Sequence, residues 1–138
     1  MNVRGVILTG AAAAVHGVAR RMKDAGIGDI IVVCGAADAA RLRRGNAELC
    51  FALAQNPRGE VDALRHAAEF LGRDSALVAV KDCDVGELLH RRKKNPRGVA
   101  AVDGGYFFNA ELHRALTNET LNGEQNLSAA AHAAGGKT

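Results

Sequence analysis

Short unbroken apolar runs alternate along this chain with stretches whose apolar residues recur at helical spacing. Val3–Thr9 reads as a strand, with β-branched residues in a compact run that ends at Gly10. Ala11–Ala25 places Val15, Val18, Ala19 and Met22 on one helical face, and Gly26 closes it as a C-cap glycine would. Asp29–Cys34 is apolar at nearly every position, the pattern of a strand covered on both faces. Ala36–Arg44 reads as a short helix and Glu48–Leu53 as a third strand. After the turn Asn56-Pro57-Arg58-Gly59 come a strong helix at Glu60–Leu71 and a fourth buried strand at Ala76–Val80. Val85–Lys94 is predicted as a helix that stops before Asn95-Pro96. Short strands at Val99–Val102 and Tyr106–Phe108 flank Gly104-Gly105, and helices are expected over Asn109–Leu116 and Gln125–Ala134. Residues 135–138 read as a tail.

Strands alternating with helices predict one α/β domain over residues 1–134, with a mainly parallel sheet wrapped on both faces. Val3–Thr9, Asp29–Cys34 and Ala76–Val80 are its expected central strands. In such sheets ligands bind beyond the carboxyl ends of the strands. The informative segments are then Gly10 onward, Gly35 to Asp38, Ala54 to Gly59, and Lys81 to Asp84.

Composition narrows the classes. The 138 residues suit a single domain with a real core. No apolar run reaches the roughly 18 residues of a membrane span. The first residues do not read as a secretory signal. The three cysteines, Cys34, Cys50 and Cys83, form no CxxC pair. A reduced, cytoplasmic protein is expected, with each cysteine acting as a small buried hydrophobe. The net charge is only +3, and four Phe and one Tyr offer little stacking surface, so a nucleic-acid partner is not expected.

Lys81-Asp82-Cys83-Asp84 is the sharpest chemical signal. Two carboxylates spaced D-x-D leave a buried strand, an arrangement that can hold a divalent metal bridging nucleotide phosphates. Asp84 has a second reading, because Glu87 three residues later completes a D-x-x-E helix start. Gln55-Asn56-Pro57-Arg58-Gly59 opens a helix whose N–H groups suit a phosphate, and the Gln55 amide suits a nucleobase. Gly10, followed by four alanines, matches neither the dinucleotide fingerprint nor the P-loop. His90-Arg91-Arg92-Lys93-Lys94 reads as a solvated helix end, with an anionic partner as the alternative. The five histidines are scattered without metal-ligand spacing, and no nucleophile-elbow or Cys–His signature is present.

Taken in order, these segments resemble the sugar-1-phosphate nucleotidyltransferases. Arg4-Gly5-Val6-Ile7-Leu8-Thr9-Gly10 is similar to that family's first strand, G-x-I-L-A-G. The run from Met22 to Val33 is similar to L-K-x-A-G-I-x-E-I-I-V-V. Gln55 to Gly59, with Asp62-Ala63-Leu64, resembles Q-x-x-P-x-G-x-A-x-A-L, and Leu77 to Asp82 resembles L-V-x-x-G-D. Gly105 to Leu112 and Gly123 to Ala130 resemble the later G-I-Y-V-F-x-x-x-x-L and G-E-x-x-L-T-D-A. The resemblance implies a Rossmann-like α/β/α sandwich of the nucleotidyltransferase, or GT-A-like, type. It implies a sugar phosphate attacking the α-phosphate of a nucleoside triphosphate, with Mg2+ held by two aspartates. By position, Gly10, Gln55 and Gly59 fall to the nucleotide and Asp82 to nucleotide and metal.

The departures are as specific as the matches. The G-G-x-G-T-R loop that wraps the triphosphate is absent, as is the P-K after it. The second metal aspartate falls on Ala129, and Lys81 replaces the glycine before the first and is expected to neutralise Asp82. The stretch between Asn95 and Gly105 is much shorter than the family's sugar-binding region. Phosphoryl transfer rests on positioning and charge stabilisation, which such groups supply. The leading expectation is therefore a truncated, degenerate member that keeps a nucleotide or sugar-phosphate site and acts as a binding or partner subunit, most simply a homodimer. Three alternatives stay open. One is an active compact enzyme with Asp82 and Asp84 on Mg2+ and Arg20, Arg21 or Lys81 on phosphates. Another is a glycosyltransferase-like domain using Asp82-Cys83-Asp84. The last is a structural interaction module.

Overall fold

A computed structural model describes residues 3–8, 12–45, 49–54, 60–71, 74–94 and 100–108. Six strands and four helices follow one another in the order β1 (Val3–Ile7), α1 (Ala12–Asp24), β2 (Ile30–Cys34), α2 (Ala36–Gly45), β3 (Cys50–Leu53), α3 (Glu60–Leu71), β4 (Ser75–Ala79), α4 (Val85–Lys94), β5 (Ala100–Val102) and β6 (Gly105–Phe108). The strands form one sheet in the order β3-β2-β1-β4-β6-β5. The first four are mutually parallel, with Val6 level with Ile31 on one side and Val78 on the other. β6 is antiparallel to both β4 and β5. The fold is Rossmann-like α/β, and β2, β1 and β4 are interior, as the apolar runs predict. The two helices expected beyond residue 108 lie outside the described residues.

Alternating side chains divide the core in two. Ile7, Val32, Leu77 and Phe107 face α1, α2 and α4, meeting Val18, Met22, Leu42 and Leu88. Val6, Ile31, Val33, Val78 and Phe108 face the other way, against Leu64, Ala67 and Leu71 of α3. That two-sided burial is why β2 and β4 carry no polar alternation. Gly5 of β1 lets α1 come close, since a Cβ there would stand 2.5 Å from Met22 Sδ.

The chain switches helix faces between β3 and β4. α1 and α2 return on one side of the sheet, α3 crosses on the other, and β4 then pairs beside β1. At the amino edge, Arg4 Nε donates to Asp74 Oδ2 at 2.9 Å and its Nη1 donates to the Phe70 carbonyl, tying β1 to the α3–β4 connection. Cys34 and Cys83 are buried as expected, but Cys50 is exposed. It begins β3, an edge strand that covers less than the interior strands do.

Candidate functional site

The segment after β4 turns back over the α1–α4 side of the sheet. Cys83 joins that core, and its neighbours Asp82 and Asp84 are left exposed. Two contacts hold the segment from the tip of the β5–β6 hairpin. The Gly104 carbonyl accepts the N–H of Val80 at 2.9 Å, and Lys81 Nζ pairs with Asp103 Oδ1 at 3.0 Å. Gly104 has φ +84, and a Cβ there would stand 2.5 Å from Lys81 Cγ and 3.2 Å from the Asp82 carbonyl oxygen. The hairpin can sit this close only with glycine at that turn position.

The two carboxylates of the D-x-D have different partners. Asp84 is the N-cap of α4. Its Oδ1 accepts the Glu87 N–H at 3.0 Å, and its carbonyl accepts the Leu88 N–H at 3.1 Å. Asp82 is paired with the Arg21 guanidinium from the last turn of α1, and the same Nη1 reaches the Cys83 carbonyl at 3.4 Å. The expectation that Lys81 neutralises Asp82 is corrected here. Successive residues leaving the strand diverge, so Lys81 goes to the hairpin and Asp82 to α1.

Arg21, Asp82, Cys83 and Asp84 line an open cleft of about 540 Å3, together with Glu87, Arg91, Val102 and Asp103. Arg91 spans it, donating from Nε to Glu87 Oε1 at 3.1 Å and from Nη1 to the Ala101 carbonyl at 2.6 Å. Four carboxylates face two guanidiniums in the lining, so the cleft is acidic. Burial pushes the Cys83 thiol above its usual range, the Asp82 carboxylate adds to this, and Arg21 opposes it. Cys83 is thus a packed thiol of the core.

A resident Mg2+ does not fit this donor set. One Asp82 oxygen is held by Arg21, and Asp84 has an oxygen committed to the helix cap. Among the described residues, no three His, Cys, Asp or Glu side chains are placed to share a metal ion. Gly10, Gln55 and Gly59 lie outside the described residues; of the other sequence-predicted site residues, the structure brings Asp82, Asp84 and Arg21 together at the cleft, turns Lys81 to Asp103, and leaves Arg20 exposed on α1 outside the lining. Arg91 and Asp103 were not foreseen as lining residues. Asp103-Gly104 is legible as a hairpin turn, but nothing local says which strand end its tip will meet.

No protein-family model matches the chain, and no curated protein matches it. Solved structures do. A protein described as a glucose-1-phosphate thymidylyltransferase from Bacillus anthracis, solved with sucrose, superposes with a TM-score of 0.66 at 14% identity over 84% of this chain and 75% of that one. A UDP-glucose pyrophosphorylase from Acinetobacter baumanii gives 0.68 at 16% identity over 96% of this chain and 82% of that one. At these identities the likeness is one of fold, the nucleotidyltransferase type of Rossmann-like sandwich. Among the described residues no helix is long and apolar enough to cross a membrane.

Proposed function

We propose that this chain is a degenerate nucleotidyltransferase-like protein that binds a nucleotide or sugar phosphate without carrying out transfer, and serves as a binding or partner subunit. The observation that carries this reading is the pairing of Arg21 with Asp82 beside an Asp84 engaged in the cap. Both candidate metal ligands are already partnered. The sequence lacks the triphosphate loop, its Arg, the following Lys and the second metal carboxylate, and Ala129 stands where that carboxylate belongs. What remains is enough for binding. Mg2+ is commonly held by one or two carboxylates plus substrate phosphates. An ion arriving with a nucleotide therefore needs only Asp82. The Arg21–Asp82 pair is about half exposed on both sides, and such pairs contribute about 0–1 kcal/mol. Arg21 gives way at little cost and is then free to meet phosphate oxygens.

The same reading favours a homodimer. Among the described residues β3 is an edge strand, and Leu53 at its end is one of two large apolar side chains left exposed. Light scattering at micromolar concentration is expected to give the dimer mass, and a monomer mass removes this part of the reading.

Calorimetric titration of the four nucleoside triphosphates, with and without Mg2+, tests the binding site. The expected heats appear only with nucleotide and Mg2+ together, and they vanish in Asp82→Ala. Binding that survives Asp82→Ala removes Asp82 from the site.

A further inference from the structure

The whole-chain charge of +3 conceals a segregation that only the fold reveals. α1, α2 and α4 lie on one side of the sheet and together carry ten Arg and Lys against three Asp and Glu, a net +7. The remainder of the chain carries −4, from +3 less +7, and three of its carboxylates, Asp82, Asp84 and Asp103, stand at the cleft on this same side. All three helices run back from the carboxyl edge of the sheet, because each follows a strand of one direction and leads into another of the same direction. Their last turns run toward the amino edge, and eight of the ten cations are in those turns; Arg21 and Arg91 among them turn into the cleft, to Asp82 and Glu87. The helix macrodipole favours a cation at each carboxyl terminus. It does not require the four consecutive ones of α4. Arg44, Lys93 and Lys94 are exposed and have no acidic partner among the described residues.

We propose that this three-helix face docks the phosphate backbone of duplex nucleic acid, without regard to sequence. Three features select that partner. The face is cationic and no large apolar side chain is exposed on it, since among the described residues Leu53 and Phe70 are the exposed ones and lie on β3 and α3. A protein interface needs an apolar or aromatic centre, and a membrane-surface helix needs apolar anchors. The cations are mainly arginine, seven of the ten, whose planar fork matches phosphate oxygens. The nearby rings, Phe51 and Phe107, lie under Arg43 and Arg92 at 5.5 and 4.5 Å and are not open platforms for unpaired bases. What such a face offers is backbone neutralisation, which is sequence-independent and salt-dependent. The expectation from composition, that nucleic acid is no partner, rests on a sum over the chain and not on where the cations of these helix ends lie.

Fluorescence anisotropy with two labelled DNA duplexes of unrelated sequence tests the proposal. Both are expected to bind equally. For four phosphate contacts the affinity should fall by about a hundredfold between about 50 and 200 mM salt. In Arg44→Glu/Lys93→Glu/Lys94→Glu, with its fold checked by circular dichroism, binding should weaken at least tenfold. The slope of log K on log salt should become shallower by about 0.9 for each contact removed. The same triple variant should leave the Mg2+-dependent nucleotide heats unchanged, because none of its three residues lines the Asp82 cleft, and this separates the two sites. The proposal is overturned by an absence of binding at the lower salt, or by a triple variant that binds like wild type. It is equally overturned if polyglutamate or phosphatidylserine vesicles bind through the same three side chains as tightly as the duplex.

Discussion

Asp82 and Asp84 sit two positions apart and are held by different physics, so their substitutions should separate. Asp84→Ala removes the α4 cap and is expected to cost about 1 kcal/mol in urea unfolding. Asp82→Ala breaks an exposed ion pair and should cost less than about 1 kcal/mol. The reverse ranking would reassign the cap. Gly104→Ala forces a side chain into a positive-φ turn already packed against Lys81, and a loss of about 1–3 kcal/mol is expected. The cap was legible from Asp84 and Glu87 alone, because a helix start is a local pattern. The partner of Asp82 was not. Arg21 lies 61 residues away and is brought in by α1 packing beside α4, which no spacing in the sequence encodes.

The interior strands were the most legible elements, since burial on both faces leaves β2 apolar throughout and β4 apolar after its first residue, Ser75. The bounds of β4 moved by one residue at each end, from the expected Ala76–Val80 to Ser75–Ala79. Edge position was less legible. Cys50 reads like Cys34 in sequence, yet it lies exposed on β3 while Cys34 is buried on β2. This difference is testable chemically. In the native protein at mildly alkaline pH, Cys50 should react promptly with a thiol reagent, while Cys34 and Cys83 should react only on unfolding. Burial raises both of those thiols, with Asp38 adding at Cys34 and Asp82 at Cys83. The folded chain keeps protons that the unfolded chain releases above about pH 8.5. Their stabilising contribution is therefore complete below that value and is lost as pH rises toward the folded thiols' values. Stability that grew above pH 9 would contradict the burial of both.

At the scale of the molecule, strand order and crossover faces decide what meets what. They bring Asp82 to α1, the hairpin tip to Lys81, and the basic ends of three helices to the amino edge, away from the carboxyl edge where such sheets bind ligands. The family resemblance anticipated this frame, and the superposition with two nucleotidyltransferases bears the fold out. Net charge did not anticipate the basic face, because a sum over the chain carries no position. The proposed loss of transfer is open to a coupled assay for pyrophosphate release, run with the four nucleoside triphosphates, common hexose 1-phosphates and Mg2+. No release above the protein-free rate is expected, alongside calorimetric binding that requires Asp82. Robust release in wild type that disappears in Asp82→Ala would contradict it and identify an active compact enzyme.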